Sequence, residues 1–311
     1  MRGSPNAAVA SGAPVRPILR PSFPAKRERG TIGRRADGGE GEPQARRVER
    51  VDPRYRPPHG PRVDEDEERH AFSGWTEVYD QLGRLAERLW ISSKQIETQP
   101  SDPRTVSNQL FKRLVHNRRA FSLLWQGRLT TDAEVILRTA IEAAICLANN
   151  AARPTEFYEA LRSDAARTLR GQIPIWASVD PELGEDARAD HDQIFGARNP
   201  NGKHWDGLDF KLLAERANIS KLHDWHRTLS GTAAHVTGIS LITDSLIVGD
   251  ADHAELIAES RRRRRRLSLT WMAGVMQISC RSHAITLGLN DFVAEADELT
   301  ATLNKLSSDE V

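Results

Sequence analysis

Hydrophobic residues recur with helical spacing along most of the chain after residue 66. Between residues 73 and 96, seven large apolar side chains fall at the spacing of one helix face. The longest apolar stretch runs from Asn108 to Ala151 and is broken only at Gln126-Gly127-Arg128, which predicts two helices joined by a tight turn. Because no strand-like alternation and no repeat period occurs, the sequence predicts an all-α fold. We expect a single multi-helix bundle with this hairpin at its centre.

Helix boundaries are marked by cap residues, prolines and glycines. Asp102-Pro103 and Thr131-Asp132 predict helix starts, and Pro154 predicts another. We expect helices near residues 73–96, 103–125, 131–150, 154–171, 209–217, 220–238, 252–287 and 290–306, with a short helix from Pro181 inside the less regular segment 176–201. Residues 239–248 are rich in β-branched side chains and could form a helix end or a short strand. We favour the helix end.

The first 66 residues differ in composition from the rest of the chain. They hold ten of the sixteen prolines and few large apolar side chains, so they cannot bury enough surface to offset the entropy of ordering. Residues 1–62 carry 14 basic and 6 acidic side chains, a net charge of +8; since the whole chain carries +1, the remainder carries −7. The sequence predicts a disordered basic tail over residues 1–66 and a helical domain over residues 67–311. The tail could be an arm for nucleic acid or other acidic partners, or it could be a solvated tail or an upstream extension.

The two cysteines and several absent motifs limit the class of protein. Cys146 and Cys280 lie in apolar helical runs, where free cysteine behaves as a small hydrophobic residue, so a reducing cytoplasm is expected. The start of the sequence has no continuous apolar region, and no apolar run reaches about 18–20 residues. We therefore expect neither a secretory signal nor a membrane partner. Glycine-rich phosphate loops, Cys-x-x-Cys pairs, His-Glu-x-x-His and Gly-x-Ser-x-Gly are also absent. We therefore expect no cofactor and no bound metal.

Arg138 and Glu142 are the leading candidates for a binding site. They lie four residues apart among apolar neighbours, so they share one helix face and can pair. The pair could line a cleft in which the arginine grips a phosphate or carboxylate. The alternative, which we favour, is a buried ion pair that fixes how the helix packs.

The segment from Phe121 to Glu142 resembles a bacterial family of all-helical proteins of unknown function. Members carry a helix, a Gly-Arg or Gly-Tyr break and a second helix with the pattern Ala-x-x-Leu-x-Arg-x-x-x-Glu. Gly127-Arg128 matches the break, and Arg138 matches the arginine of the second helix. The resemblance covers about residues 73–289 and implies a helical fold with no established activity.

Two later segments are similar to the same family. Leu213 to Ala217 matches its Leu-Ala-Glu-x-Ala helix, and Ser230 with His235 is similar to its serine and histidine one turn apart. In this chain the two residues are five positions apart, which places them on different helix faces. The resemblance makes Ser230 a further candidate binding residue.

Arg227 and His235 are the candidate catalytic residues. HEPN-type ribonucleases, to which the similarity is distant, use an arginine and a histidine on one helix to cleave RNA without metal. The arginine stabilises phosphate charge and the histidine moves a proton. Seven residues separate the pair here, against four to six in that motif. The alternative is a core histidine at position 235 and a surface arginine at position 227.

Histidine and arginine clusters suggest further chemistry. His223-Asp224-Trp225-His226 and His191-Asp192 combine imidazole with carboxylate, which are metal ligands, but no ordered set of further ligands accompanies them, so surface histidines are favoured. The run Arg261–Arg266 covers every face of a helix. It could bind the phosphates of RNA or DNA, or it could be a solvated helix start partly matched by nearby acids.

Two hypotheses for the function follow from these residues. The first is a non-catalytic binding or regulatory module, for example in a stress or defence response, which could also form homo-oligomers. The second is a metal-independent, HEPN-like ribonuclease that uses Arg227 and His235 with Arg138 and Glu142 nearby. Convergence of Arg138, Glu142 and His235 in one open cleft would favour the enzyme.

Overall fold

A computed structural model describes residues 72–99, 102–196, 204–233 and 251–308, without the side chains of residues 251–257. This part of the chain contains nine helices and no strand. They are α1 (Ser73–Ser93), α2 (Pro103–Gln126), α3 (Thr130–Ala152), α4 (Pro154–Val179), α5 (Pro181–Phe195), α6 (Phe210–Arg216), α7 (Ser220–Thr232), α8 (Ala251–Leu287) and α9 (Asn290–Ser308). The prediction of an all-α fold is confirmed.

Side-chain caps and backbone turns set the helix boundaries. Asp102 caps α2 by accepting a hydrogen bond of 2.8 Å from a backbone N–H of the first turn, and Pro103 occupies the first helical position. Asp180 and Asp209 cap α5 and α6 in the same way. Between α2 and α3 the chain turns through Arg128, whose φ of 60° is in the left-handed region. The predicted hairpin of α2 and α3 is therefore built by local signals.

The centre of the fold is α3, which packs against both α2 and α8. Helix α1 also packs against α2 and α8, so these four helices enclose one apolar core. Among its largest fully buried side chains are Leu82, Leu85, Leu89, Phe111, Leu114, Phe121, Leu137, Ile141 and Ile145. Helices α6 and α7 pack on α3 as well, which brings polar residues of α7 close to polar residues of α3.

One helix is longer than the sequence predicts. Helix α4 continues to Val179 with Pro174 inside it, where the sequence predicts an end near residue 171. Helix α5 packs back along α4 so closely that a Cβ on Gly184 would lie 2.4 Å from the Cβ of Ala177. The side chain of Ile173 is buried, with 5% exposure, and this packing offsets the helix-breaking effect of Pro174.

Three predictions of local structure lie beyond the residues that the structure describes. These are the tail over residues 1–66, the last part of the helix expected to reach residue 238, and the assignment of residues 239–248. Among the described helices, only α3 is long and apolar enough to cross a membrane by those two criteria. Most of its apolar window is buried inside the bundle, as in the core helix of a soluble protein.

Candidate functional site

Helices α3 and α7 bring four polar side chains together. Arg138 and Glu142 of α3 pair, with 3.4 Å between Nη2 and Oε1. The Nε of Arg138 donates a hydrogen bond of 3.0 Å to the Oγ of Ser230 on α7. The Nε2 of His226, also on α7, lies 3.0 Å from Oε1 of Glu142. We call these four residues the α3–α7 polar network.

The spacing of the residues within each helix explains why they meet. Arg138 and Glu142 are four residues apart, and so are His226 and Ser230, so each helix presents a pair on one face. The Oγ of Ser230 donates a hydrogen bond of 2.7 Å to the backbone oxygen of His226, which orients its lone pairs toward Arg138. The His226 ring packs beside Phe210 of α6, with 5.5 Å between ring centroids.

The network is only partly shielded from solvent. The side chains of Arg138 and Glu142 are 26% and 23% exposed, and that of His226 is 13% exposed. Burial alone would raise the pKa of Glu142, but the hydrogen bond with His226 and the positive charges of Arg138 and Arg113 lower the pKa overall. Glu142 is therefore a carboxylate at neutral pH.

Two nitrogens of the network have neither a hydrogen-bond partner nor an ion-pair partner within the described part of the chain. They are Nη1 of Arg138 and Nδ1 of His226. An unpartnered nitrogen is either buried or accessible to solvent. These two are not buried, so both reach solvent. The network can therefore offer a guanidinium N–H and an imidazole nitrogen to a ligand.

The structure separates Arg227, one of the two candidate catalytic residues, from this network. Arg227 follows His226 in sequence but is exposed, and it makes none of the network's hydrogen bonds or ion pairs. His235 lies outside the described residues. The predicted binding residues Arg138, Glu142 and Ser230 do come together, with His226 in the place where His235 was expected.

Two histidines expected at the surface are not there. His226 belongs to the network, and the side chain of His191 is only 4% exposed, with its Nδ1 3.0 Å from Oδ1 of Asp192. Glu142 and His226 are 84 positions apart, so no local pattern links them. In the described part of the chain, no three His, Cys, Asp or Glu side chains lie close enough to hold a metal ion.

The arginine run is partly used inside the fold. Arg264 forms a bidentate ion pair with Glu134 of α3, and Ser268 donates a hydrogen bond of 3.0 Å to the same carboxylate. Arg265 stacks over the Trp125 ring at 4.5 Å and donates to its backbone oxygen. Two of the six arginines therefore stabilise packing between α8 and the α2–α3 hairpin. Nucleic-acid binding by the run stays a prediction.

A comparison with known proteins agrees with the helical family seen in the sequence. Neither a curated protein nor a solved structure matches the chain. A family model described as Family of unknown function (DUF5677) matches residues 104–253, a range that contains the whole α3–α7 polar network. The predicted resemblance is confirmed: over residues 104–253 this chain is similar to the helical family of unknown function DUF5677.

Proposed function

We propose that this protein is a non-catalytic binding module and that the α3–α7 polar network binds a phosphate or carboxylate group of its ligand. The observation that supports this is the state of Arg138. Ser230 and Glu142 hold its guanidinium in place, yet the group is a quarter exposed and Nη1 has no partner in the described residues. A side chain positioned in this way loses little entropy when it grips an oxyanion.

The cysteine chemistry supports a binding role over nucleophilic catalysis. Cys146 and Cys280 are buried free thiols. Burial raises the pKa of Cys146 to about 12 and raises the pKa of Cys280 as well. The thiolate is the reactive form, so neither thiol is a nucleophile at neutral pH.

Phosphate binding can be measured as stabilisation of the fold. If inorganic phosphate binds with a dissociation constant of about 1 mM, 10 mM phosphate should raise the free energy of unfolding by about 1.4 kcal/mol. Arg138→Gln should abolish this gain, and Arg170→Gln, which changes an exposed arginine of α4, should retain it. Added chloride salt keeps the ionic strength constant. Phosphate also stabilises folded proteins in general, but this effect should be the same in wild type and variants, so the difference between them reports specific binding. Equal gains in wild type and Arg138→Gln would overturn the proposal.

A second candidate function is metal-independent acid–base cleavage of RNA. The hydrogen bond between Glu142 and His226 favours it, because a carboxylate that orients an imidazole leaves the other ring nitrogen to move a proton. Incubation of the full chain with transfer RNA in chelator tests it. Under this reading His226→Ala should lower the cleavage rate by about 10²–10⁴-fold, whereas Arg227→Ala should not. The absence of cleavage by wild type would exclude it and leave the binding module.

A further inference from the structure

An exposed arginine of α2 lies beside the α3–α7 polar network. The hairpin of α2 and α3 is closed at one end by its turn and at the other by a hydrogen bond of 2.9 Å from Asn150 to the backbone oxygen of Pro103. Arg113 lies 13 residues before the last residue of α2, and Glu142 lies 12 residues after the first residue of α3. At a rise of about 1.5 Å per residue, both are about 18–20 Å from the turn. They therefore lie at the same level of the hairpin.

The electrostatics of α3 agree with this position of Arg113. Burial raises the pKa of Glu142, but the hydrogen bond with His226 and the positive charges of Arg138, His226 and Arg113 lower it overall. One turn further along α3, burial and the negative charge of Glu142 raise the pKa of Cys146, and the charge of Arg113 opposes that rise. The guanidinium of Arg113 is therefore close enough to this face of α3 to act on two successive turns.

Both arginines are accessible to a ligand from solvent. Arg113 is exposed, and it makes no hydrogen bond or ion pair within the described part of the chain. The side chain of Arg138 is 26% exposed, and its Nη1 is open to solvent. Helices α2 and α7 both pack on α3 without extensive packing between them, which agrees with the partial exposure of Arg138 and Glu142. A ligand on Arg138 therefore has a second guanidinium available on the α2 side.

Two guanidinium groups distinguish between the anions that the network could bind. A carboxylate or a phosphodiester presents one pair of charged oxygens, which a single arginine can bind in a bidentate way. A phosphate monoester presents three terminal oxygens and about two negative charges, so it can bind two arginines at once. When His226 is protonated, it balances the charge of Glu142 at 3.0 Å. The charges of Arg113 and Arg138 then match those of the monoester.

We propose that the group bound by the α3–α7 polar network is a doubly charged phosphate monoester and that Arg113 is the second arginine that binds it. This rests on the proposed function and narrows its ligand from any phosphate or carboxylate to one class. Arg138 donates to one pair of phosphate oxygens, and Arg113 donates to the remaining oxygen. A singly charged anion binds through Arg138 alone and therefore binds more weakly.

Titration of the full chain with methyl phosphate and with dimethyl phosphate, followed by the nuclear magnetic resonance of the Arg138 Nε–H, tests the proposal. At about pH 7.5 methyl phosphate is mostly a dianion, because the second pKa of a phosphate monoester is about 6, whereas dimethyl phosphate carries one charge. Wild type should bind methyl phosphate about tenfold more tightly than dimethyl phosphate or acetate. Arg113→Gln should weaken methyl phosphate binding about three- to tenfold and dimethyl phosphate binding less than about twofold. Inorganic phosphate should bind no more tightly than methyl phosphate, and tighter binding would overturn the assignment to an ester.

The matched control is Lys112→Gln, which removes the same charge from the neighbouring exposed position of α2 and should change the affinity for methyl phosphate less than about twofold. Arg113→Lys keeps the charge but loses the planar pair of donors, so it should recover only part of the affinity. Equal weakening by Arg113→Gln and Lys112→Gln, or equal affinity of wild type for methyl and dimethyl phosphate, would overturn this proposal and leave anion binding at Arg138 intact. If none of these anions shifts the Arg138 signal, the proposed function fails as well.

Discussion

The ion pair between Arg264 and Glu134 should be the largest single polar contribution to stability among the described pairs. The Glu134 side chain is 3% exposed and accepts hydrogen bonds from Arg264 at 2.8 Å and from Ser268 at 3.0 Å. Replacing Arg264 with methionine leaves the carboxylate buried with only the serine hydroxyl to stabilise it. Removing one partner of a buried pair costs about 3–5 kcal/mol, and the remaining serine places the expected loss near the lower end, about 3 kcal/mol.

Urea denaturation followed by circular dichroism measures this loss as a shift of the midpoint at unchanged slope. The matched control is Arg261→Gln, an exposed arginine of the same run, which should change the free energy of unfolding by less than about 0.5 kcal/mol. The double variant Arg264→Met/Glu134→Met should recover most of the loss, because no unpaired charge remains. A loss below about 1 kcal/mol in Arg264→Met, or a double variant no more stable than the single, would refute the reasoning.

Three further predictions concern stability and its dependence on pH. Arg138→Ala should cost only about 1 kcal/mol in urea denaturation, because the pair is about a quarter exposed and Glu142 keeps its contact with His226; a loss of 3 kcal/mol would mean that the pair is effectively buried. The pKa of Glu142 is lowered from its usual 4.5, so its stabilisation is fully present above that pH and is lost as the pH falls through the lower folded value. The difference in stability between wild type and Glu142→Gln should therefore shrink below pH 4.5, and a constant difference would count against it. Burial lowers the pKa of His283 to about 3, so between pH 6.5 and 3 the unfolded chain binds a proton that the folded chain does not. Stability should fall by up to about 1.4 kcal/mol per pH unit over that range, and the variant His283→Leu/Ser107→Ala should flatten the slope.

The helices could be predicted from the sequence because their signals are local. The apolar periodicity of α2 and α3, the cap Asp102 and the break at Gly127 all lie within a few residues of the boundaries that they set. Helix α4 was predicted too short because Pro174 is a local stop signal. Its effect is overridden by packing against α5, which no pattern in α4 reveals.

The candidate sites could be predicted only in part. Arg138 and Glu142 are recognisable as a pair because they are one turn apart, and Ser230 was identified through a family resemblance. His226 was missed because its partner lies 84 positions away, and only the tertiary packing of α7 on α3 joins them.

The central claim is that Arg138 of the α3–α7 polar network contacts an anionic ligand group. The most direct measurement is the nuclear magnetic resonance of its side-chain Nε–H during a phosphate titration at constant ionic strength, with the signal assigned by its loss in Arg138→Lys. The account predicts a saturable shift of this signal and no comparable shift for the exposed Arg170. A signal that stays in place while phosphate still stabilises the protein would contradict the account.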